Sequence, residues 1–268
     1  MADRSFLTWP FFEDRHRILA NKLNAWAEAN LSKINHDDAD AATRTLVEMM
    51  GGAGWLKHSA STTGTLDVRT LCLIRETLAR HDGLADFAFA MQGLGTGAIT
   101  LFGSQAQKDT WLVKTRLGHA ISAFALTEPQ SGSDVANSTM TATRDGDYYI
   151  LDGEKTWISN GGIADVYTVF ARSGEAPGAK GLSAFIVPAN TAGLRIKERI
   201  NTIAPHPLAT LEFKGCRVPA SDMIGAPGKG FGIAMAVLDV FRSTVAAAAL
   251  GFARRALDEA LTRVTTRQ

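Results

Sequence analysis

Apolar residues recur at the spacing of an amphipathic helix through the first 119 residues. The stripes are Leu19, Leu23 and Trp26; Leu71, Ile74 and Leu78; and Phe87, Met91, Leu94, Ala98 and Leu101. Pro10 stands where a helix can begin. Ser104 and Gln107 fit a capping box that opens a further helix, which Gly118 would end. Residues 1–119 are therefore predicted to form an N-terminal helical domain.

The pattern changes to short strand-like runs between positions 120 and 226. Asp145-Gly146 and Asp152-Gly153 are each flanked by such runs. Asp-Gly supplies the positive-φ residues of a tight hairpin, so both pairs are predicted to be hairpin turns. The runs ADVYTVFA, LSAFIVPA and ATLEFKGCRVP follow with no helix between them, which indicates antiparallel strands. Residues 120–226 are predicted to form a β-barrel-like middle domain.

Helical spacing returns after GAPGKG and continues nearly to the last residue. The stripe consists of Phe231, Ala234, Leu238, Phe241, Val245, Ala249 and Phe252, and it continues through Leu257 and Leu261. A single long helix buries an apolar face only against other elements. Residues 227–268 are therefore predicted to be the first helix of a C-terminal helical domain that the chain lacks for the most part. The predicted class is α+β.

Composition narrows the function classes. The 28 basic and 27 acidic residues give a net charge of +1, which argues against a nucleic-acid partner. Asp239 and Arg242 interrupt the most apolar stretch, which argues against a membrane span. The N-terminus has no apolar core of a secretory signal, and Cys72 and Cys216 are the only cysteines. These features indicate a cytoplasmic protein without disulfides.

Two common site types find little support. The run GLGTGA at 93–98 matches a dinucleotide fingerprint, but it falls inside a helical stripe with no strand before it. Close helix packing is the preferred interpretation of its glycines. The six histidines show no metal-ligand spacing, so no metal site is predicted.

Three segments carry candidate chemistry. TEPQSGSD at 127–134 follows an apolar run. Pro129 favours extended geometry at the residue before it, and Gly132 can adopt backbone conformations closed to other residues. Together they can turn backbone N–H groups toward a ligand. TWISNGG at 156–162 places an indole and a hydroxyl two residues apart, on one face of a strand. Asp239 and Arg242 share a helix face. A plain turn, a core tryptophan and a local ion pair are the respective structural alternatives.

Taken together, these segments resemble the acyl-CoA dehydrogenase family. The matching stretches are FALTEPQSGSD, GEKTWISNGG and GFGIAMAVLDVFRSTVAAAALGFARRALDEAL. The resemblance extends from about position 10 to the end and is strongest over 100–268, whereas GGAGWLKHSASTTGTLDVRT departs from the family pattern. It implies a helical domain, a β domain and a second helical domain, with FAD held at their junction.

The resemblance also implies roles for individual residues. The FAD contacts would be Phe124, Leu126, Thr127, Gly132, Ser133, Trp157, Ile158 and Ser159. Thr127 would contact the ring edge, Trp157 would pack on the isoalloxazine and Ser159 would hydrogen-bond near its reactive nitrogen. Ser133 would also lie beside the pantetheine. Asp239 and Arg242 would line the CoA side, and Arg267 would reach the FAD of a neighbouring subunit.

The implied reaction is α,β-dehydrogenation of an acyl-CoA thioester, with electron-transfer flavoprotein as acceptor and a homotetrameric dimer of dimers as assembly. The family's catalytic glutamate is expected beyond Gln268. Phe241 occupies the position of the alternative base and cannot accept a proton, so no catalytic base is assigned within the chain. The alternatives are another flavoenzyme of this fold, such as an acyl-CoA oxidase or a monooxygenase, and a non-catalytic subunit completed by a partner chain.

Overall fold

The computed structural model describes residues 3–267. Helices come first, then a β-sheet, then one long helix. The α-helices are α1 Asp14–Asn30, α2 Ala39–Gly52, α3 Val68–His81, α4 Gly83–Phe102, α5 Gln105–Gln107, α6 Val113–Arg116 and α7 Gly230–Thr266. The strands are β1 Ser122–Ala125, β2 Thr141–Asp145, β3 Tyr148–Ser159, β4 Val166–Arg172, β5 Leu182–Pro188, β6 Leu194–Arg199, β7 Leu208–Pro219 and β8 Met223–Ile224. The α+β class is confirmed, and the exact domain bounds stay a prediction.

Capping residues fix where the helices begin. The carboxylates of Asp38, Asp67 and Asp82 accept hydrogen bonds from the first turns of α2, α3 and α4. The predicted capping box of Ser104 and Gln107 is confirmed. Pro10 does not open a helix, because α1 begins four residues later behind its N-cap Glu13.

The eight strands form one sheet with the order β6-β7-β3-β2-β4-β5-β8, and β1 pairs with β4. Most neighbours are antiparallel, as predicted. The pairing of β1 with β4 is parallel, and β2 also meets β4 in parallel at one position. The pattern of short runs did not predict these parallel contacts, since strand direction depends on where the chain enters the sheet.

Only one of the two Asp-Gly pairs forms a hairpin. Asp145-Gly146 connects β2 to β3, as predicted. The prediction for Asp152-Gly153 is wrong, because β3 runs straight through it with a register shift beside β7. Gly153 has a φ of 145°, and a Cβ there would lie 2.8 Å from the Met140 side chain. The glycine therefore allows a β-bulge to pass close to a neighbouring segment.

The glycines of the GLGTGA run lie in the middle of α4, which confirms the packing interpretation. A Cβ on Gly93 would lie 2.7 Å from the Phe241 ring, and one on Gly95 would lie 2.5 Å from Ser122 Oγ. These glycines let α4 approach both α7 and β1 closely. As a result α4 runs between the sheet and the long helix.

The buried face of α7 differs from the predicted stripe over its second half. Ile233, Val237 and Phe241 are buried, and the burial continues through Thr244, Ala247, Ala248 and Gly251, where the helix packs on α3. Apolar residues predicted to be buried are about half exposed, namely Val245, Phe252, Leu257 and Leu261. Small residues carry the contact with α3 because they let the two helices approach closely.

Within residues 3–267, α7 is the one helix whose length and composition would allow it to cross a bilayer. Its first half contributes Ile233, Val237 and Phe241 to the core that also contains α3, α4 and the sheet. Packing against these elements accounts for the apolar composition of that half.

Candidate functional site

One cavity collects most of the residues predicted to bind a ligand. It has a volume of about 370 Å³ and lies between the ends of β1 and β3 on one side and helices α4 and α7 on the other. Nine of the predicted residues line it, namely Phe124, Leu126, Thr127, Gly132, Ser133, Trp157, Ile158, Ser159 and Arg242. Three segments far apart in the sequence thus meet at one place.

The first wall is the segment that follows β1. Glu128 and Ser131 pair as an isolated bridge, which makes a tight turn directly after Thr127. Gly132 and Ser133 follow on the exposed side of this turn. Gly132 does not adopt a positive φ, so the expected backbone freedom is not used. A Cβ at Gly132 would meet open space, which leaves room for a ligand beside the turn.

The second wall is the end of β3, where the strand is irregular. Trp157 has a φ of 57°, and the register with β7 shifts between Lys155 and Ile158. A positive φ is rare for a bulky residue and marks a locally strained backbone. Because the strand is irregular here, its side chains do not simply alternate between the two faces of the sheet. The alternation assumed from the sequence therefore does not explain why Trp157 and Ser159 lie on the same side. Both residues nevertheless line the cavity.

The polar groups of these two walls are free to contact a ligand. Within the described part of the chain, the hydroxyls of Thr127, Ser133 and Ser159 form no side-chain hydrogen bond, and all three face the cavity. The Trp157 side chain is 60% exposed, although tryptophan usually buries most of its surface. Three free hydroxyls around an exposed indole form a surface suited to a flat, partly polar molecule.

The third wall is α7. Arg242 lines the cavity together with Phe231, Met235 and Leu238. Asp239 does not line it, because its side chain is 76% exposed and lies 3.8 Å from the Arg242 guanidinium. Phe241 points away from the cavity into the core.

Arg267 is exposed just beyond the end of α7. It lies about 37 Å from Arg242 along the helix, at 1.5 Å per residue. Arg267 therefore does not contribute to the cavity that the other predicted residues form, and its role across subunits stays a prediction.

Several lining residues carried no functional signal in the sequence. Met91 and Leu94 belong to the stripe on α4, and Val135 lies in the turn after Ser133. Side chains on a helical stripe look like core residues, and only the path of α4 past β1 shows that two of them also face a cavity. Apolar walls with a few polar groups are typical of small-molecule sites.

A second cavity of about 610 Å³ adjoins the first one. Met91 contributes to the lining of both cavities. The lining of the second cavity contains more ionisable side chains than that of the first cavity, namely His36, Arg75, Asp82, Asp86 and His206. The Arg75 guanidinium donates two hydrogen bonds to the carboxylate of Asp86, at 2.8 and 2.7 Å, and the pair is buried. Burial raises the pKa of Asp86, and the hydrogen bond and charge of Arg75 act against that rise.

Acid–base groups are absent from the first cavity within residues 3–267. Arg242 is the only charged side chain in its lining, and the lining includes no carboxylate and no imidazole. The described residues also contain no group of three or more histidine, cysteine, aspartate or glutamate side chains that could hold a metal ion. In this part of the chain, the lining of the first cavity therefore offers neither a carboxylate nor an imidazole that could remove a proton.

Comparison with known proteins agrees with the geometry. Residues 13–118 match the acyl-CoA dehydrogenase N-terminal domain, residues 123–216 the middle domain and residues 228–268 the C-terminal domain. The chain also superposes on the structure of butyryl-CoA dehydrogenase from Megasphaera elsdenii, with a TM-score of 0.84 and 31% identity over 96% of this chain and 70% of the other. The chain belongs to the acyl-CoA dehydrogenase family.

Two further structures show how widely this family fold is shared. An acyl-CoA dehydrogenase from Bacillus anthracis complexed with FAD matches with a TM-score of 0.86 and 29% identity, over 100% of this chain and 49% of the other. A chain from a structure titled as the electron transferring flavoprotein of Acidaminococcus fermentans matches with a TM-score of 0.86 and 32% identity, over 96% and 70%.

Curated relatives carry the same family name. The human mitochondrial short-chain specific acyl-CoA dehydrogenase is 36% identical over 91% of this chain and 61% of its own length. The probable acyl-CoA dehydrogenase FadE25 of Mycobacterium tuberculosis is 41% identical over 71% of this chain and 49% of its own length. The family member described here thus spans about half to three fifths of the curated relatives it matches.

Proposed function

We propose that the complete protein is an FAD-dependent acyl-CoA dehydrogenase. The observation that carries this proposal is the convergence of an exposed indole and three unpaired hydroxyls in one cavity. An isoalloxazine has a flat aromatic face and hydrogen-bonding atoms along its edge, so it matches both features. The FAD-bound relative from Bacillus anthracis, which shares the fold, supports the choice of cofactor.

The proposed contacts follow the cavity walls. Trp157 packs against the flavin ring, Thr127 contacts its edge and Ser159 donates a hydrogen bond near the reactive nitrogen. Ser133 lies toward the pyrophosphate and the pantetheine of the substrate. The remaining contacts with the flavin are made by four further lining residues, Phe124, Leu126, Gly132 and Ile158. In this proposal Arg267 reaches the FAD of a neighbouring subunit. The cofactor site is then completed only when the subunits assemble, and the proposed assembly is a homotetramer.

The proposed reaction introduces a double bond between Cα and Cβ of an acyl-CoA thioester. Bound FAD supplies the acceptor for the hydride that leaves Cβ. The hydroxyl of Ser159 stabilises the negative charge that develops at the acceptor. Arg242, with Asp239 beside it, contacts the polar CoA part of the substrate. The carboxylate that removes the α proton comes from outside residues 3–267, since none lines the cavity.

The missing base supports one alternative. A non-catalytic subunit, completed by a partner chain that supplies the base, would also have a cavity without a carboxylate.

A second alternative is a different flavin reaction on the same fold, by an acyl-CoA oxidase or a monooxygenase. It differs from the dehydrogenase in how fast oxygen reoxidises the reduced flavin. Slow reoxidation in air favours the dehydrogenase.

The proposal extends to partners and location. Electron-transfer flavoprotein is the proposed electron acceptor, and the similarity of this chain to a chain in the Acidaminococcus fermentans structure supports it. A role in β-oxidation of fatty acids in the cytoplasm fits the proposed reaction. The short-chain and butyryl-CoA relatives support a short acyl group as the first substrate to test.

The decisive experiment adds butyryl-CoA to the complete protein without oxygen. The proposal expects loss of the flavin absorbance near 450 nm and formation of one enoyl-CoA per flavin. It further expects turnover with electron-transfer flavoprotein and slow reoxidation in air. Protein that contains FAD but is not reduced by any acyl-CoA would overturn the proposed reaction while leaving the cofactor assignment intact.

A further inference from the structure

We propose that the buried ion pair between Lys155 and Glu128 positions the flavin-binding walls of the cavity. The inference rests on the proposed function, because it assigns a role in holding FAD to residues that do not line the cavity themselves. Lys155 Nζ lies 2.8 Å from Glu128 Oε1, and the side chains are 0% and 2% exposed. The pair thus acts through the backbone of its neighbours, as positioning residues.

Glu128 closes the turn that carries two of the predicted FAD contacts. Its Oε2 accepts hydrogen bonds from Thr139 N at 2.6 Å and Thr139 Oγ1 at 2.9 Å, and its Oε1 accepts one from Met140 N at 3.1 Å. The carboxylate therefore connects the two ends of segment 129–138. Gly132 and Ser133 lie within that closed segment and line the cavity.

Lys155 connects this turn to the strained end of β3. Its Nζ also donates to the carbonyl oxygen of Leu126 at 2.9 Å, directly before Thr127. The register shift of β3 begins at Lys155, and Trp157 with its positive φ follows two residues later. One ammonium group therefore fixes the spacing between the Leu126–Thr127 backbone and the strand end that presents Trp157 and Ser159.

The directional contacts explain why charged groups lie in this core. Two apolar side chains would fill the same space, but they would leave the Leu126 carbonyl and the Thr139 and Met140 N–H groups without these partners. Replacing a buried ion pair by apolar residues is often neutral for stability. The effect of the pair on stability is therefore distinct from its effect on backbone position. Only the charged groups bind the Leu126 carbonyl and the Thr139 and Met140 N–H groups, so apolar side chains cannot hold these backbone segments in the same way.

The charges of both partners agree with this arrangement at neutral pH. Burial raises the pKa of Glu128, but Lys155 and the backbone N–H groups of Thr139 and Met140 outweigh it, so the net pKa lies below its ordinary value. Burial lowers the pKa of Lys155 to about 8, against the opposing effect of Glu128. The Nζ–Oε1 distance of 2.8 Å is that of a hydrogen-bonded ion pair.

The test uses the complete enzyme, both as apoprotein and loaded with FAD, and measures stability separately from FAD binding in each variant. The single variants Glu128→Gln and Lys155→Met each leave a buried group without its partner. The double variant Glu128→Leu/Lys155→Met replaces the pair by apolar side chains. Lys197→Met is the matched control, because it removes an ion pair with Glu154 that is more exposed and connects β6 to the same strand β3.

The measurements are the unfolding temperature, the Kd of the apoprotein for FAD, the flavin absorbance spectrum, and kcat and KM. We expect the double variant to stay folded but to unfold at a lower temperature, because three backbone groups lose their partners, with a Kd for FAD raised at least tenfold and a changed spectrum. Lys197→Met should keep the wild-type Kd and spectrum. A folded double variant with wild-type Kd and spectrum would overturn the positioning role.

A milder variant decides the question if the others do not fold. Thr139→Val removes only the hydroxyl that donates to Glu128, on an exposed residue. It should raise the Kd for FAD about threefold, and an unchanged Kd would contradict the inference. A wild-type protein that takes up no FAD would instead contradict the proposed function, so the two failures are distinguishable.

Discussion

The backbone N–H of Thr156 donates a hydrogen bond of 2.9 Å to the carbonyl oxygen of Thr127. This bond joins the turn after β1 to the strand end that carries Trp157 and Ser159. The two segments are far apart in the sequence, yet their polar side chains line one cavity because their backbones are connected at this point. The proposed flavin site depends on this connection.

Trp157→Ala should weaken FAD binding without unfolding the protein. The side chain is 60% exposed and thus contributes little to the core. Loss of aromatic stacking and contact area costs about 1.5 kcal/mol, so the Kd for FAD should rise roughly tenfold. Fluorescence titration of the apoprotein measures this Kd. Trp9→Ala is the control, since Trp9 is 59% exposed but does not line the cavity, and an equal effect of both variants would contradict the stacking role.

Arg242→Ala should weaken acyl-CoA binding more than FAD binding. Its guanidinium is the only charged group in the cavity lining within the described residues, and CoA carries the phosphates that attract it. We expect KM for butyryl-CoA to rise about tenfold, with less than a twofold change in the Kd for FAD. Arg255→Ala, farther along α7 and paired with Glu259, should change neither. A larger loss of FAD than of acyl-CoA would reverse the assignment.

Met91→Ala should shift the preference toward longer acyl chains. Met91 lines both the cavity of about 370 Å³ and the cavity of about 610 Å³, and we expect a smaller side chain at this position to connect them. Each additional buried methylene is worth about 0.8 kcal/mol, so the two extra methylenes of hexanoyl-CoA should raise its ratio of kcat/KM over that of butyryl-CoA about tenfold. Leu94→Ala enlarges only the first cavity and serves as control. An unchanged ratio in Met91→Ala would show that the second cavity does not receive the acyl chain.

The histidine His58 should make stability depend on pH. Burial is the main reason why its pKa falls from 6.5 to about 4, and the charge of Lys57 adds to this effect. Between these pH values the unfolded chain binds more protons than the folded one, so stability rises with pH and is lost as pH falls from about 6.5 to about 4. The loss is at most about 3 kcal/mol, since one pKa unit corresponds to about 1.4 kcal/mol.

Urea unfolding at pH 7 and pH 5 measures this effect. His58→Gln should reduce the difference between the two free energies of unfolding, because glutamine binds no proton in either state. His119→Gln replaces an exposed histidine and should leave the difference as in the wild type. An equal pH dependence in wild type and His58→Gln would contradict the explanation.

The sequence predicted the order of helices and strands because period and turn residues are local signals. The capping box at Ser104 and the hairpin at Asp145-Gly146 are examples that the structure confirms. Asp152-Gly153 carries the same local signal, but pairing of β3 with β7 keeps the chain extended there. The choice between a hairpin and a bulge thus depended on a distant strand.

The sequence was sufficient to predict which segments form the site, but not how their backbones and side chains are oriented in it. The three segments meet as expected, but Trp157 lies in a strained bend and Asp239 points to solvent. Lys155 and Glu128 are parts of the same motifs, yet their pairing carried no signal in the sequence, because a lysine on a strand is usually exposed. Their burial follows from how the turn after β1 folds over β3.

The most direct test of the central claim is the flavin content of the complete protein. After purification and incubation with excess FAD, the protein should retain about one FAD per chain and show two flavin bands in the visible range. Trp157→Ala should retain less under the same conditions. A well-folded, colourless wild-type protein that binds no added FAD would contradict the claim that the walls formed by Thr127, Trp157 and Ser159 hold a flavin.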